Sequence, residues 1–141
     1  MTDRIENVLT SEGLFVNTTA GVSMWPMLRD RRDVIVIRPL RNGERLRTGD
    51  VPLYRDGDRY VLHRVVGVHD GWYAIRGDNC LPTERVTDDR ILGVLCEFHR
   101  GARRVSVKSR GYRMYWRFWL AVWPVRKLWK LVHGGLLGLR P

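Results

Sequence analysis

The sequence predicts a mainly β protein: a compact antiparallel β domain with a short N-terminal helix and a C-terminal amphipathic helix. Runs of β-branched and aromatic residues recur between positions 33 and 107, and the run at 33–38 is the clearest. Asp-Gly pairs at Asp56 and Asp70 separate neighbouring runs, as in β-hairpins. At 141 residues the chain is long enough for one such domain with a hydrophobic core.

The elements follow in order along the chain. Residues 4–15 have apolar side chains at helical spacing, with Gly13 ending the helix, and residues 16–20 are expected to be extended. About six strands come next, at 33–38, 51–54, 59–68, 72–76, 91–99 and 103–107. The segments 41–50 and 80–90 are predicted to be loops. Short strands joined by tight turns are typical of an antiparallel sheet.

The charge of the chain divides it into two parts. Through His99 there are 14 Lys and Arg against 15 Asp and Glu. From Arg100 onward there are 11 Lys and Arg and no acid, so the net charge of +10 belongs to the C-terminal segment. We therefore divide the chain into a β domain at 1–107 and a basic, aromatic tail at 108–141.

Several classes of protein are disfavoured by the composition. Cys80 and Cys96 are too few for a disulfide framework, and no Cys-x-x-Cys pair or histidine cluster is present, so we expect no metal and no cofactor. The N-terminus has no apolar signal-peptide core, and no apolar run reaches the ~20 residues that span a bilayer. We expect a cytoplasmic protein.

The tail is predicted to be an amphipathic helix kinked at Pro124. Its aromatic and basic residues suit a helix that lies on an anionic leaflet, which predicts peripheral attachment to the inner face of the cell membrane. The predicted membrane contacts are Trp116, Trp119, Trp123, Arg126, Lys127, Trp129 and Lys130. Packing of the tail on the β domain, or dimerisation through it, is the alternative. Nucleic-acid binding is not expected, because no recognised motif accompanies the basic residues.

The segment 21–28, Gly-Val-Ser-Met-Trp-Pro-Met-Leu, presents a serine on an unusual backbone. Gly21 allows conformations that are closed to other residues, and Pro26 keeps Trp25 out of helical angles. Ser23 is therefore predicted to lie on a stiff, non-helical segment. Such a segment suits a nucleophilic hydroxyl held at a fixed angle, but it equally suits a serine that caps a backbone group.

His63 is the candidate base for that serine. His69 and His99 fall at predicted turns, whereas His63 falls inside the predicted strand 59–68, on an apolar face. Partial burial there favours the neutral imidazole that a general base needs. A core histidine that bonds to a backbone carbonyl is the alternative.

Five segments resemble, in order, the sequence boxes of type I signal peptidases. They are 21–28 (S-M-x-P), 49–51 (G-D-V), 61–68 around His63, 75–79 (G-D-N) and the closing strand 91–94. The resemblance covers roughly residues 18–97 and implies the mostly β fold that signal peptidases share with the self-cleaving repressors of the same clan. It also implies a serine endopeptidase that cleaves a leader or signal-type peptide near the membrane.

The resemblance implies roles for individual residues. His63 stands where bacterial signal peptidases have lysine, which is similar to the endoplasmic-reticulum and archaeal type. Ser23 is then the nucleophile, His63 the general base, and the backbone N–H of Ser23 part of the oxyanion hole. The expected substrate contacts are Met24, Trp25 and Pro26.

Two points are left open by the sequence. The acid that orients His63 is either Glu84 or Asp78, and Asp78 has the alternative of capping backbone groups in its loop. Gly21 stands where many bacterial relatives have a second oxyanion-hole serine, and we expect the chain to lack their N-terminal membrane anchor. An inactive peptide-binding module of the same fold, docked to a membrane or partner by its tail, is therefore the alternative function.

Overall fold

The structure, a computed structural model, describes residues 8–9, 12–19, 21 and 23–134. Most of the helix predicted at 4–15 lies outside the described residues. Within them, Val8, Leu9 and Glu12 are helical. Gly13 ends this segment as predicted: its φ is 76°, and its N–H donates to the carbonyl of Leu9 at 3.1 Å.

Nine strands in the described residues form two antiparallel sheets, which confirms the prediction of a mainly β, antiparallel protein. The strands are β1 (Phe15–Thr18), β2 (Val34–Arg38), β3 (Pro52–Asp56), β4 (Arg59–Leu62), β5 (Arg64–His69), β6 (Trp72–Arg76), β7 (Glu84–Thr87), β8 (Ile91–Arg100) and β9 (Arg103–Ser106). The larger sheet has the order β1-β2-β8-β3-β4, with β9 paired to β8, and the smaller sheet has the order β5-β6-β7.

The strand predicted at 59–68 is in fact two strands. It breaks at His63, so that β4 pairs with β3 in the larger sheet and β5 pairs with β6 in the smaller one. After the break, the N–H of Val65 donates to the carbonyl of Asp50 at 2.8 Å, and its carbonyl accepts from the N–H of Gly49 at 2.9 Å. His63 therefore lies where the chain passes between the sheets, and strand alternation does not extend through it.

The segment 80–90, predicted to be a loop, contains β7. This strand pairs with β6, with Glu84 opposite Ile75. Val86 is fully buried in the core cluster that also includes Tyr73. A stretch of four residues with one apolar side chain gives a weak strand signal, and β7 forms because the open edge of β6 supplies its hydrogen-bond partners.

Two α-helices lie in the described part of the tail, α1 (Arg110–Ala121) and α2 (Trp123–Trp129), and a π-helical segment (Lys130–Gly134) follows them. The Ser109 side chain caps α1 by accepting from the N–H of Tyr112 at 3.3 Å. The helices are interrupted at Val122, next to Pro124, which confirms the predicted helix and kink. Tyr112 is buried in the core of the larger sheet, so the helices pack on the β domain. No described helix combines the length and the apolar character needed to cross a bilayer.

Candidate functional site

A cleft of about 500 Å³ contains both Ser23 and His63. Strands β1 and β4, the two end strands in the order of the larger sheet, contribute to its lining. Apolar side chains, among them Leu28 and Leu53, line it as well. The structure thus brings together the serine and the histidine that the sequence predicted to act as a pair.

Ser23 begins a tight turn. The N–H of Leu28 donates to the carbonyl of Met24 at 2.9 Å, and the peptide bond between Trp25 and Pro26 is cis. Gly21, two residues before the serine, has a φ of 88°, a value that side chains rarely allow. The prediction that Ser23 lies on a non-helical segment shaped by its glycine and proline neighbours is confirmed.

The loop after β6 holds the backbone of Ser23. The N–H of Asn79 donates to the Ser23 carbonyl at 2.8 Å, and Cys80 Sγ lies 3.9 Å from the same oxygen. A Cβ atom added to Gly77 would lie 2.7 Å from the Ser23 carbonyl oxygen and 3.1 Å from Cδ2 of His63. The serine backbone and one edge of the imidazole therefore border the same small space, which only glycine leaves open.

The other edge of the His63 ring faces an acid and a phenol. Nδ1 lies 3.6 Å from Oε1 of Glu84 and 3.3 Å from the Tyr54 hydroxyl, which itself donates to Oε1 of Glu84 at 3.2 Å. Burial lowers the pKa of His63 below its ordinary value of 6.5, although the charges of Glu84 and Asp78 oppose this effect. Burial, together with the charge of Glu84, raises the pKa of Tyr54 and keeps its proton in place.

This arrangement defines the tautomer of His63. Because the Tyr54 proton is directed at Glu84, a hydrogen bond between Tyr54 and Nδ1 requires the proton of Nδ1 itself. Nε2 is then unprotonated and free to accept. Nε2 is bonded to Cδ2, the atom that lies next to Gly77 and the Ser23 turn. The basic nitrogen is therefore one bond away from the ring atom that borders Gly77.

Asp78 has a different set of partners. Its carboxylate accepts two hydrogen bonds from Arg64, at 2.8 and 2.9 Å, and one from the Tyr115 hydroxyl at 2.8 Å. Arg64 is fully buried and also donates to the carbonyl of Gly49 and to the hydroxyl of Tyr112. Of the two acids that the sequence left open, the structure brings Glu84 beside His63 and engages Asp78 in a buried ion pair.

The three predicted substrate contacts are placed differently from one another. Met24 lines the cleft, although its Sδ also accepts from the N–H of Asp78 at 3.4 Å. Trp25 is about half exposed. Pro26 lines a second pocket with Phe98 instead, because the turn after Ser23 reverses the chain direction. The structure does not place Pro26 at the cleft, contrary to the expectation.

The helices of the tail hold the same loop that holds Ser23. The indole N–H of Trp119 and the guanidinium of Arg126 both donate to the carbonyl of Asp78, at 2.9 and 3.0 Å. The ammonium group of Lys130 donates to Oδ1 of Asn79 at 2.9 Å. The loop therefore lies between the Ser23 turn and the tail.

These hydrogen bonds show that three of the predicted membrane contacts face the β domain instead. Trp119, Arg126 and Lys130, predicted to contact a membrane, are directed at the β domain because the loop carbonyls need donors. Trp123 lies beneath the guanidinium of Arg76, 3.6 Å from the ring centroid, and the Trp116 ring packs on Gly49. Two of the predicted contacts, Lys127 and Trp129, are exposed.

Two residues beside the site were not predicted. Arg64 gave a signal that was available in the sequence, since a charged residue within an apolar strand requires a buried partner if it points inward. Tyr54 gave no such signal, because a tyrosine in a strand is ordinarily a core residue. Among the described residues, no group of three His, Cys, Asp or Glu side chains is placed to hold a metal ion.

Comparison with known proteins gives no family for this chain. No protein-family model matches it, and no curated protein matches it significantly. The likeness to signal peptidases therefore stays a prediction, which rests on the five ordered sequence segments.

Proposed function

We propose that the protein is a serine endopeptidase of the Ser–His type, similar to signal peptidases in fold and activity, and that it cleaves a leader or signal-type peptide. One observation carries the proposal. Ser23, His63 and Glu84 line one cleft; Nδ1 of the imidazole lies beside the acid, and its Cδ2 atom borders Gly77, as the carbonyl of Ser23 also does. A nucleophile, a base and an orienting acid need this order in space.

The proposed reaction proceeds through an acyl-enzyme. Ser23 Oγ attacks the scissile carbonyl carbon while Nε2 of His63 takes the hydroxyl proton, and the backbone N–H of Ser23 donates to the oxyanion. His63 then gives its proton to the amine as the C–N bond breaks. Water then attacks the ester while His63 takes its proton, and His63 returns that proton to Ser23 Oγ as the acyl C–O bond breaks and the acid product is released. Glu84 and Tyr54 hold the ring at Nδ1 throughout these steps.

The cleft suits an extended peptide. Its lining includes β1 and β4, which end the strand order of the larger sheet, and end strands have backbone groups that a substrate strand can pair with. The apolar side chains of Met24, Leu28 and Ile35 in the lining favour apolar substrate residues over charged ones.

A covalent probe tests the proposal. We expect a fluorophosphonate to form one adduct, through displacement of fluoride by Ser23 Oγ, and peptide mapping by mass spectrometry to locate it at residue 23. Protein unfolded in urea should not react, because an isolated serine hydroxyl is a weak nucleophile. Ser106, on β9, is an internal reference and should stay unmodified. A folded protein without an adduct at Ser23 would instead support an inactive peptide-binding module.

The pH dependence of this labelling tests the base. Because burial lowers the pKa of His63, the rate is expected to fall at acidic pH, as the imidazole gains a proton, with a midpoint below pH 6.5. Glu84→Gln removes a charge that favours the imidazolium, so the midpoint should move to still lower pH. Asp88→Asn, at a surface pair with Arg45, should leave it unchanged. A midpoint above 6.5, or an upward shift in Glu84→Gln, contradicts the assignment.

A further inference from the structure

The outer side of the tail helices carries an apolar stripe. Its large side chains are between 52% and 72% exposed, and they are Met114, Phe118, Val125, Leu128 and Val132. Spacings of three and four residues put Met114, Phe118 and the exposed Ala121 on one face of α1, and Val125 and Leu128 on one face of α2; Val132 lies in the π-helical segment that follows. Unlike isolated apolar residues on a surface, a continuous stripe of this kind marks an interaction site.

The stripe cannot turn inward onto the chain's own β domain. The opposite side of the same helices is fixed by the buried Tyr112 and by hydrogen bonds from Trp119 and Lys130 to the loop after β6. Rotation of the helices would break these bonds and leave the loop carbonyls unsatisfied. The apolar stripe and the packed side therefore have separate functions.

Positive charge accompanies the stripe along one flank. By helical geometry, Arg110, Arg113 and Arg117 lie beside it, and all three are exposed. The sequence from Arg100 to Pro141 has no Asp or Glu. A second copy of this chain packed on the stripe would place these cations close to the same cations of the other copy. The repulsion between like charges disfavours a helix-to-helix dimer.

We propose that this stripe docks on an anionic lipid bilayer. The apolar side chains enter the boundary between headgroups and acyl chains, and the flanking cations contact the anionic headgroups. The exposed Trp129, at the edge of the stripe, suits the interfacial region. The contact surface is thus the face of the tail opposite to Trp119 and Trp123. This inference does not depend on the proposed peptidase activity.

Vesicle sedimentation with the full chain tests the docking surface. We expect binding to vesicles of phosphatidylcholine with 30% phosphatidylglycerol, weaker binding in high salt, and little binding to phosphatidylcholine alone. Phe118→Glu should weaken binding roughly tenfold or more, because it removes buried apolar area and adds an anion. Val68→Glu is the matched control, since it makes the same change at an exposed apolar residue on β5 and should bind as the wild type does.

Each of three outcomes would overturn the proposal. The first is no binding to the anionic vesicles. The second is equal binding by Phe118→Glu and Val68→Glu, which would indicate general charge attraction without insertion. The third is a wild-type dimer, seen by sedimentation equilibrium, that Phe118→Glu dissociates, because a second copy would then cover the stripe. Circular dichroism of both variants confirms that each one is folded.

Discussion

Substitution of His63 by alanine is expected to slow fluorophosphonate labelling of Ser23 by about 10²- to 10⁴-fold, the range that general-base catalysis contributes. Without the imidazole, the hydroxyl must lose its proton to water as it attacks. The measurement is the second-order rate of adduct formation by intact-protein mass spectrometry.

Two further measurements separate a base from a merely structural histidine. Added imidazole should restore part of the lost rate in His63→Ala, because it can enter the space left by the side chain and accept the proton. His69→Ala removes an exposed imidazole that stacks on Trp72, and it should label at the wild-type rate. Equal rates for the wild type and His63→Ala would exclude His63 as the base.

Asp78→Ala is expected to lower the free energy of unfolding by about 3–5 kcal/mol, since it leaves the Arg64 guanidinium buried without its counter-charge. Arg64 is fully buried, so solvent cannot replace the lost partner. The substitution also removes the acceptor of the Tyr115 hydroxyl, which joins the tail to the loop. Urea unfolding followed by tryptophan fluorescence measures the change.

A surface pair supplies the comparison for that prediction. Asp88 pairs with Arg45, and both side chains are exposed, so Asp88→Ala should cost no more than about 1 kcal/mol. If Asp78→Ala costs as little as Asp88→Ala, the buried pair does not hold the loop and the tail in place. The double variant Arg64→Met/Asp78→Ala removes the guanidinium as well. If it loses less free energy of unfolding than Asp78→Ala alone, the unpaired charge is the main cost.

Strands with a strong local pattern were predictable from the sequence. The stretch at 34–38 consists of four β-branched residues and an arginine, and it is β2. The run at 59–68 looked like one strand because valine, which favours strands, recurs along it. Its division at His63 depends on the separate partners of β4 and β5, which local propensity does not encode. Strand β7 was not predicted, because it depends on pairing with β6 and has only a weak local pattern.

The candidate site was predictable where motifs carried it. Ser23 and His63 were identified from the order of short segments, and the structure brings them to one cleft. The choice between Glu84 and Asp78 was not predictable, because both follow His63 at similar distances along the chain. It depends on β7, which brings Glu84 beside Tyr54, and on the burial of Arg64, which engages Asp78.

The sequence by itself determined that the tail is a kinked basic helix, since helical spacing and Pro124 are local properties. Only the tertiary structure decided which side faces the protein. The loop after β6 presents carbonyl groups that need hydrogen-bond donors, and indole, guanidinium and ammonium groups supply them where aliphatic side chains cannot.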